Sequence, residues 1–389
     1  MTLNAGGGLL LCSSGADGTS SWAFSSWQSI VNVAFGGFDV VATRRIAAGE
    51  HIICESPILI AASPESHERG WATAILRTFC TSSATAQAAV LDINEDGVSA
   101  AATDAGRAMM ADAAREVALC ADLPWRLAQP QILDGTLARV CMIVHLNGYA
   151  WGASTALFPL GCQLNHACEA NVRYSQSEQR GRGCFIAKRP IAVGESLCTN
   201  YIGEYADIMS TPARRDALRD SKLFTCMCPK CVAVADPHRH VPCPGCHARG
   251  SAAAGNELSL AAAHGRGRVH YATPTSADAG ATWTCTRCER RWAIEQVIPG
   301  PGGAGGDAGG AAGRSWERVL ERNVLHFEAR ATPPLAGGDV AAVRRLLPEA
   351  AGLHEQVARS VGSRHWTTAR LAEILAGARA HLDVVAGRG

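Results

Sequence analysis

Seven of the sixteen cysteines fall between residues 222 and 292, at metal-ligand spacings. Cys226-x-Cys228-x2-Cys231 places three thiols within six residues. Sulfurs so close in sequence cannot easily reach disulfide geometry among themselves, but as thiolates they can wrap one tetrahedral ion. Such an ion needs a fourth ligand; Cys162, Cys168, His238 and His240 are candidates. Cys243-x2-Cys246 and Cys285-x2-Cys288 are two further knuckles, the pattern of a closed, structural zinc ribbon. Their interval exceeds the usual roughly 15 to 20 residues, yet its Gly- and Ala-rich content can loop out at small entropic cost. A redox reading of either CxxC is weak, because no βαβ pattern surrounds it. Two zinc ions are expected, serving folding rather than chemistry. Cys12, Cys54, Cys80, Cys120, Cys141, Cys184 and Cys198 stand in apolar contexts and read as small buried hydrophobes.

A second constellation is polar. In LFPLGCQLNHACEANV (157–172), Asn165-His166 sits between apolar residues and Cys168, and Asn171 follows three residues later. Some thirty residues on, Asn200-Tyr201 follows a Gly194-Glu195 turn. Alone, such a tyrosine is more often a core residue, and an Asn-His pair a capped turn. The positioning elements read as follows. Residues 1–30 are Gly/Ser/Ala-rich and nearly uncharged, the composition of a disordered tail. Residues 31–63 form a strand pair with a turn at Ala48-Gly49-Glu50. Residues 64–150 are helical by period: Trp71, Ile75 and Phe79 share a face, as do Met110, Ala113, Val117 and Cys120, and then Leu137, Val140 and Val144. Strands return in 151–221, where RPIAVGESLCTNYI repeats the order of RRIAAGEHIICESP. The cysteine-rich stretch occupies 222–298, and 299–314 is a Gly-rich linker. Residues 315–389 are helical, with one stripe of Trp316, Val319, Leu320 and Phe327. A second stripe is Leu371, Ile374, Leu375, Ala378 and Leu382, capped by Thr367 or Thr368.

The composition bounds the function. The 389 residues are 47% hydrophobic and 18% charged, enough for a sizeable core in two or three domains. A net charge of +1 argues against a nucleic-acid partner, and Arg287, Arg290 and Arg291 alone do not reverse that. No apolar run approaches the roughly 18 to 20 residues of a membrane span, so no membrane partner is expected. No secretory leader is recognisable, so the chain reads as cytoplasmic or nuclear. Lysines are scarce: of 36 cationic residues only Lys188, Lys222 and Lys230 are Lys.

Taken together, Asn165-His166-Ala167-Cys168 with Asn171, Gly194-Glu195-Ser196-Leu197 with Tyr201, and Cys226-x-Cys228-x2-Cys231 resemble, in order and spacing, the motifs of the SET-domain protein-lysine methyltransferases. FPLGCQLNHACEAN and TPARRDALRDSKLFTCMCPKC are similar to the SMYD-like subfamily, in which an insert splits the SET halves and helical repeats follow. The insert lacks the CxxC pairs of that subfamily's MYND finger. The resemblance covers residues 35–60 and 130–290 well and the C-terminus loosely.

The resemblance implies an α+β fold: a β-rich, pseudoknotted SET domain with a helical insert, zinc-bound post-SET and ribbon modules, and a helical C-terminal domain. It implies methyl transfer from S-adenosylmethionine to a lysine of a histone or non-histone protein, with Tyr201 as the catalytic residue. Asn165, His166, Asn147, Phe224 and Gly37 would hold the cofactor. Cys168 would join Cys226, Cys228 and Cys231 on one zinc, and Cys243, Cys246, Cys285 and Cys288 would hold the second. The C-terminal helices would offer a surface to a protein partner. Two positions depart from the family pattern. Asp39 replaces the second glycine of the cofactor turn, with no partner evident for its charge. Lys222 replaces a second tyrosine, placing a cation beside the lysine channel. A catalytically silent SET fold acting as a zinc-dependent scaffold is the alternative, and a nucleic-acid-binding ribbon protein a third.

Overall fold

The protein is described from a computed structural model, which covers residues 39–62, 70–93, 103–177, 181–233, 236–246, 270–276, 281–300 and 315–386, and the backbone of four earlier strands. These residues form two units: residues 1–204 with 217–226, and residues 205–216 with 227–389. Among them, no helix is long and apolar enough to cross a membrane.

In the first unit, a five-stranded antiparallel sheet runs β1 (Asn4–Ala5), β2 (Gly8–Ser14), β3 (Ser20–Phe24), β4 (Val33–Gly36), β5 (Asp39–Ala42). Parts of the first 30 residues therefore lie in strands, against the expected tail: Leu10 pairs with Phe24 and Cys12 with Trp22. The tail reading rested on low charge and small residues, and backbone ladder bonds can still form in such a segment. Two three-stranded sheets follow. One joins β11 (Val172–Ser177), β12 (Arg182–Ala187) and β6 (His51–Glu55). The other joins β7 (Leu59–Ala62), β9 (Ser154–Leu157) and β8 (Tyr149–Trp151). Val40, Ile46, Ile53, Phe158, Leu164, Phe185 and Leu197 fill the core among them.

The insert folds into α1 (Thr73–Thr81), α2 (Ala84–Leu91), α3 (Asp104–Leu119), α4 (Pro124–Leu127) and α5 (Asp134–Asn147). Its core holds Leu76, Phe79, Val117, Cys120, Leu137, Val140 and Ile143. Met110 is exposed and Met109 packs instead, so the α3 stripe starts one residue earlier than its period suggested. A second correction concerns Cys54 and Cys184. They are a cross-strand disulfide between β6 and β12, where register pairing sets them opposite each other. Sequence separation hid this pairing; only the sheet register reveals it.

In the second unit, β14 (Val241–Pro242), β15 (Tyr271–Pro274), β16 (Trp283–Cys285) and β17 (Arg291–Trp292) form an antiparallel ribbon. The short α8 (Ile294–Val297) and three long helices follow: α9 (Trp316–Gly337), α10 (Val340–Val361) and α11 (Trp366–Ala386). Leu320, Val324, Phe327 and Ala331 form the buried stripe of α9, and Leu371, Ile374, Leu375 and Ala378 that of α11. Helix α11 begins at Trp366, so Thr367 and Thr368 lie inside its first turn rather than capping it. Arg239 and Glu317, both fully buried, make a two-point ion pair at 2.9 and 2.7 Å, and His365 Nε2 lies 3.2 Å from Glu317 Oε1. Glu321 accepts from Trp366 Nε1 at 2.8 Å and pairs with Arg318. Buried charges persist only when paired like this, and the arginines occupy carboxylates that a metal would otherwise need. Residues 301–314 of the expected linker lie outside the described residues.

Candidate active site

Two short strands carry the polar constellation. β10 (Asn165–His166) pairs in parallel with β13 (Cys198–Thr199), Asn165 opposite Cys198 and His166 opposite Thr199. Asn171 locks this pairing. It is 3% exposed; its Nδ2 donates to Ser196 O at 2.8 Å and to Glu195 Oε1 at 3.0 Å, while its Oδ1 accepts from Cys198 N–H at 2.8 Å. A buried amide thus satisfies its own polar atoms and those of the neighbouring strand.

His166 links the strands to the cysteines. Its Nδ1 accepts from Tyr201 N–H at 3.1 Å. A neutral imidazole then carries its proton on Nε2, which lies 3.3 Å from Cys168 Sγ and donates to it. An N–H donor to a thiolate tempers the sulfur's charge and fixes its direction, as outer partners of metal ligands do. Cys168 Sγ stands 3.9 Å from Cys226 Sγ. Two Zn–S bonds of about 2.3 Å at a tetrahedral angle would separate sulfurs by about 3.8 Å, so the spacing fits a shared ion and not a disulfide. One residue, Met227, separates Cys226 from Cys228. Cys228 caps the short helix α7 (Pro229–Val232), which contains Cys231, whose N–H donates to Cys228 O at 2.8 Å. Of the other fourth-ligand candidates, Cys162 Sγ donates to Asn147 O at 3.4 Å, and His238 and His240 join no cysteine group among the described residues.

The second cysteine set lies wholly within the second unit. Cys243, Cys246, Cys285 and Cys288 bring their sulfurs within 4.8 Å of one another, with Cys243–Cys288 at 3.7 Å and Cys246–Cys285 at 3.8 Å. These distances again match a tetrahedral ion. The donors come from the knuckle after β14 and the turn between β16 and β17.

A cavity of about 320 Å³ opens in the first unit. Its walls include Asn147, Tyr149, Cys162, Tyr174, Tyr201 and Lys222. Tyr201 O–H donates to Leu164 O at 2.6 Å, which leaves the oxygen's lone pairs as acceptors. Burial holds this phenol well above its ordinary pKa, so it remains neutral. Phe224 packs edge-on to both His166 and Tyr201, with ring centroids 5.9 and 6.3 Å apart. Asn147 ends α5, and its Nδ2 donates to Ile143 O at 3.0 Å. The structure therefore has Asn147 and Tyr201 line one cavity and sets His166 and Phe224 against Tyr201, while Asn165 reaches Asp39 instead. Gly37 lies outside the described residues.

The two departures resolve differently. Asp39 is partnered after all: Asn165 Nδ2 donates to Oδ1 at 2.6 Å, and Ser196 Oγ to Oδ2 at 3.2 Å. Its carboxylate fastens β5 to the polar strands. Lys222, at the end of α6 (Thr211–Lys222), lines the cavity. Its Nζ donates to Leu146 O at 2.7 Å and His145 O at 3.3 Å, and stands 5.8 Å from the centre of the Tyr201 ring. Burial pulls its pKa down to about 8.

Sequence reasoning missed Glu55, Tyr149 and Tyr174. Glu55 accepts from Leu160 N–H at 3.1 Å and Gly161 N–H at 2.7 Å, and burial raises its carboxyl to about 7. It holds the turn that leads into Asn165. Tyr149, Phe158, Tyr174 and Phe185 pack edge-on or tilted with centroids between 4.9 and 6.0 Å; Tyr149 and Tyr174 line the cavity, with the two phenylalanines buried behind them. Alternation in NVRYSQS and GCFIA marked these as strands, but nothing in it marked which face meets a cavity.

Residues 37–202 match the SET domain family model. Over 82 residues the chain is 34% identical to chicken (Gallus gallus) and 35% identical to human (Homo sapiens) protein-lysine N-trimethyltransferase SMYD5, covering 21% of this chain and 20% of each relative. The chain thus spans about a fifth of the length of these curated relatives. Two solved structures were also matched: the SET domain of LSMT bound to lysine and AdoHcy, and Rubisco LSMT bound to AdoMet. The first has 10% identity and a TM-score of 0.34, covering 95% of this chain and 86% of that one. The second has 12% identity and a TM-score of 0.35, covering 96% and 88%.

Proposed function

With residues 37–202 forming a SET domain, we propose that this chain is a protein-lysine N-methyltransferase using S-adenosylmethionine. The observation that carries the reading is the wall of one cavity. Tyr201, whose oxygen keeps free lone pairs, lies there within packing distance of Phe224 and His166. S-adenosylmethionine supplies a sulfonium-bound methyl group. Around such a cationic carbon, a neutral phenol oxygen and main-chain carbonyls are the fitting acceptors. The rings of Tyr149 and Tyr174 in the cavity lining would exclude water and favour the neutral form of an incoming amine. Asn165 and His166 would seat the cofactor, and Asn147 would contribute from the lining of the same cavity. A lysine-bearing protein is the substrate class.

The thiols fit zinc as a structural ion, two per chain: Cys168, Cys226, Cys228 and Cys231 for one, and Cys243, Cys246, Cys285 and Cys288 for the other. The first would tie the His166–Tyr201 strands to the segment bearing Phe224. Stripping zinc with a chelator should lower the melting temperature and abolish cofactor binding together. Cofactor affinity that survives complete metal removal contradicts this arrangement.

Calorimetric titration with S-adenosylmethionine, followed by transfer of labelled methyl to a histone and proteome panel, tests the enzyme. Absence of binding ends it. A second reading, a catalytically silent scaffold, is favoured by the Lys222 amine in the cavity wall. Cofactor binding without transfer to any lysine would select it.

A further inference from the structure

Lys222 stands out twice, in the sequence by its scarcity and in the fold by its place. The chain uses arginine almost everywhere a cation is wanted, keeping only three lysines. Lys230 donates to Asp207 O in the second unit, and Lys188 is exposed at the cavity rim. Lys222 alone sets its amine in the cavity wall on two main-chain carbonyls and near the face of Tyr201.

We propose that Lys222 is itself a methyl acceptor, a self-modification site in the wall of this chain's own cavity. The inference rests on the methyltransferase reading above. Main-chain carbonyls and an aromatic face are the surroundings that orient an amine while leaving it unpaired with any carboxylate. The carbonyls of His145 and Leu146 belong to the last turn of α5, where no intrahelical donor reaches them, so they are free to hold Nζ. The groups facing it are His145 on α5, Cys162 on the turn after β9, and Tyr201. Burial holds the His145 imidazole below its usual range and the Cys162 thiol up at about 12, so both stay neutral, and among the described residues no anion locks Lys222 as ammonium. With its own pKa near 8, Lys222 presents a lone pair in mildly alkaline solution.

The step balances. The Nζ lone pair forms the N–CH3 bond, the S–CH3 bond breaks with its electrons to sulfur, and the donor leaves as S-adenosylhomocysteine. The methylated ammonium then releases a proton to solvent. A monomethylated amine keeps one N–H to donate to Leu146 O, and a dimethylated one does so when protonated, so either product fits the same wall.

The test uses the full-length, zinc-loaded chain. It is incubated with S-adenosylmethionine alone, with intact mass and peptide mapping as readouts, and calorimetric affinity is measured in parallel. The expected result is a mass gain in methyl units mapped to Lys222, rising as pH passes through about 8 and lost in Lys222→Arg. The unmodified chain should also bind the cofactor with a different affinity from the modified one. If the cofactor binds and an added protein is methylated while Lys222 stays unmodified, this inference fails and the enzyme reading stands. Label mapped to Lys188 or Lys230 overturns it equally. If the cofactor does not bind, the parent reading fails and takes this one with it. Direct mapping decides the matter even where Lys222→Arg misfolds.

Discussion

Two turns of the first unit have nearly the same sequence and different duties. Arg44-x-Ile46-x2-Gly49-Glu50 and Arg189-x-Ile191-x2-Gly194-Glu195 both close on a left-handed glycine, with φ of 80° and 78°. In both, the arginine pairs with the glutamate, and the glutamate accepts from the main chain three residues earlier at 3.0 Å. The turns even bond to each other, Ile46 and Ile191 exchanging N–H···O contacts of 3.0 Å. The difference lies in one partner. Glu195 also accepts from Asn171, which ties it to β13 and hence to the Cys198–Tyr201 stretch. Among the described residues, Glu50 has no such amide. The Arg44 bond lowers Glu50, whereas Glu195, bonded by Arg189 and helped by Asn171, is held at about 2. One buried amide converts a generic turn into part of the site's frame.

That comparison can be broken most sharply at Asn171. Replacing it with Ala leaves the buried Cys198 N–H unpaired and should cost about 3 kcal/mol in urea unfolding. The first turn has no equivalent residue to lose. Next, Glu195→Gln should cost about 1 kcal/mol and Glu50→Gln about half that. A double-mutant cycle sharpens this: Glu195 should couple to Asn171, whereas Glu50 should add independently. Gly49→Ala and Gly194→Ala should be alike, each losing about 1 kcal/mol, since no atom lies within 4 Å of either new Cβ and only the left-handed φ is strained. The smallest effect is in pH. A carboxyl whose folded pKa is depressed contributes stability above its unfolded value, near 4.3, and loses it as pH falls toward the folded value. Acid titration from pH 5 to 2 should therefore weaken the wild type slightly more than Glu195→Gln. The difference should be a few tenths of a kcal/mol, because the pair is solvent-screened.

Much of the site was legible in the sequence because its motifs are short and its ligands are chemically distinctive. The residues left Cys162, Cys168, His238 and His240 open as a fourth ligand and the family resemblance favoured Cys168, whose Sγ lies 3.9 Å from that of Cys226. The hidden parts depend on register and direction. Asp39 looked unpartnered because Asn165 is 126 residues away, and Cys54 read as a core thiol because Cys184 is 130 residues away. Glu55 gave no signal, since a carboxylate that caps a buried turn has the same local sequence as one in water.

By itself, the sequence determined which residues could do chemistry and the order in which strands, insert and cysteines occur. Residue type and spacing along the chain are enough for that. Which side chains share a cavity, where the Lys222 amine rests, and which of two matching turns supports the site were decided by tertiary structure alone. Those depend on contacts between elements far apart along the chain, such as the 76 residues between Lys222 and Leu146 or the 126 between Asp39 and Asn165, and no local pattern encodes such closures.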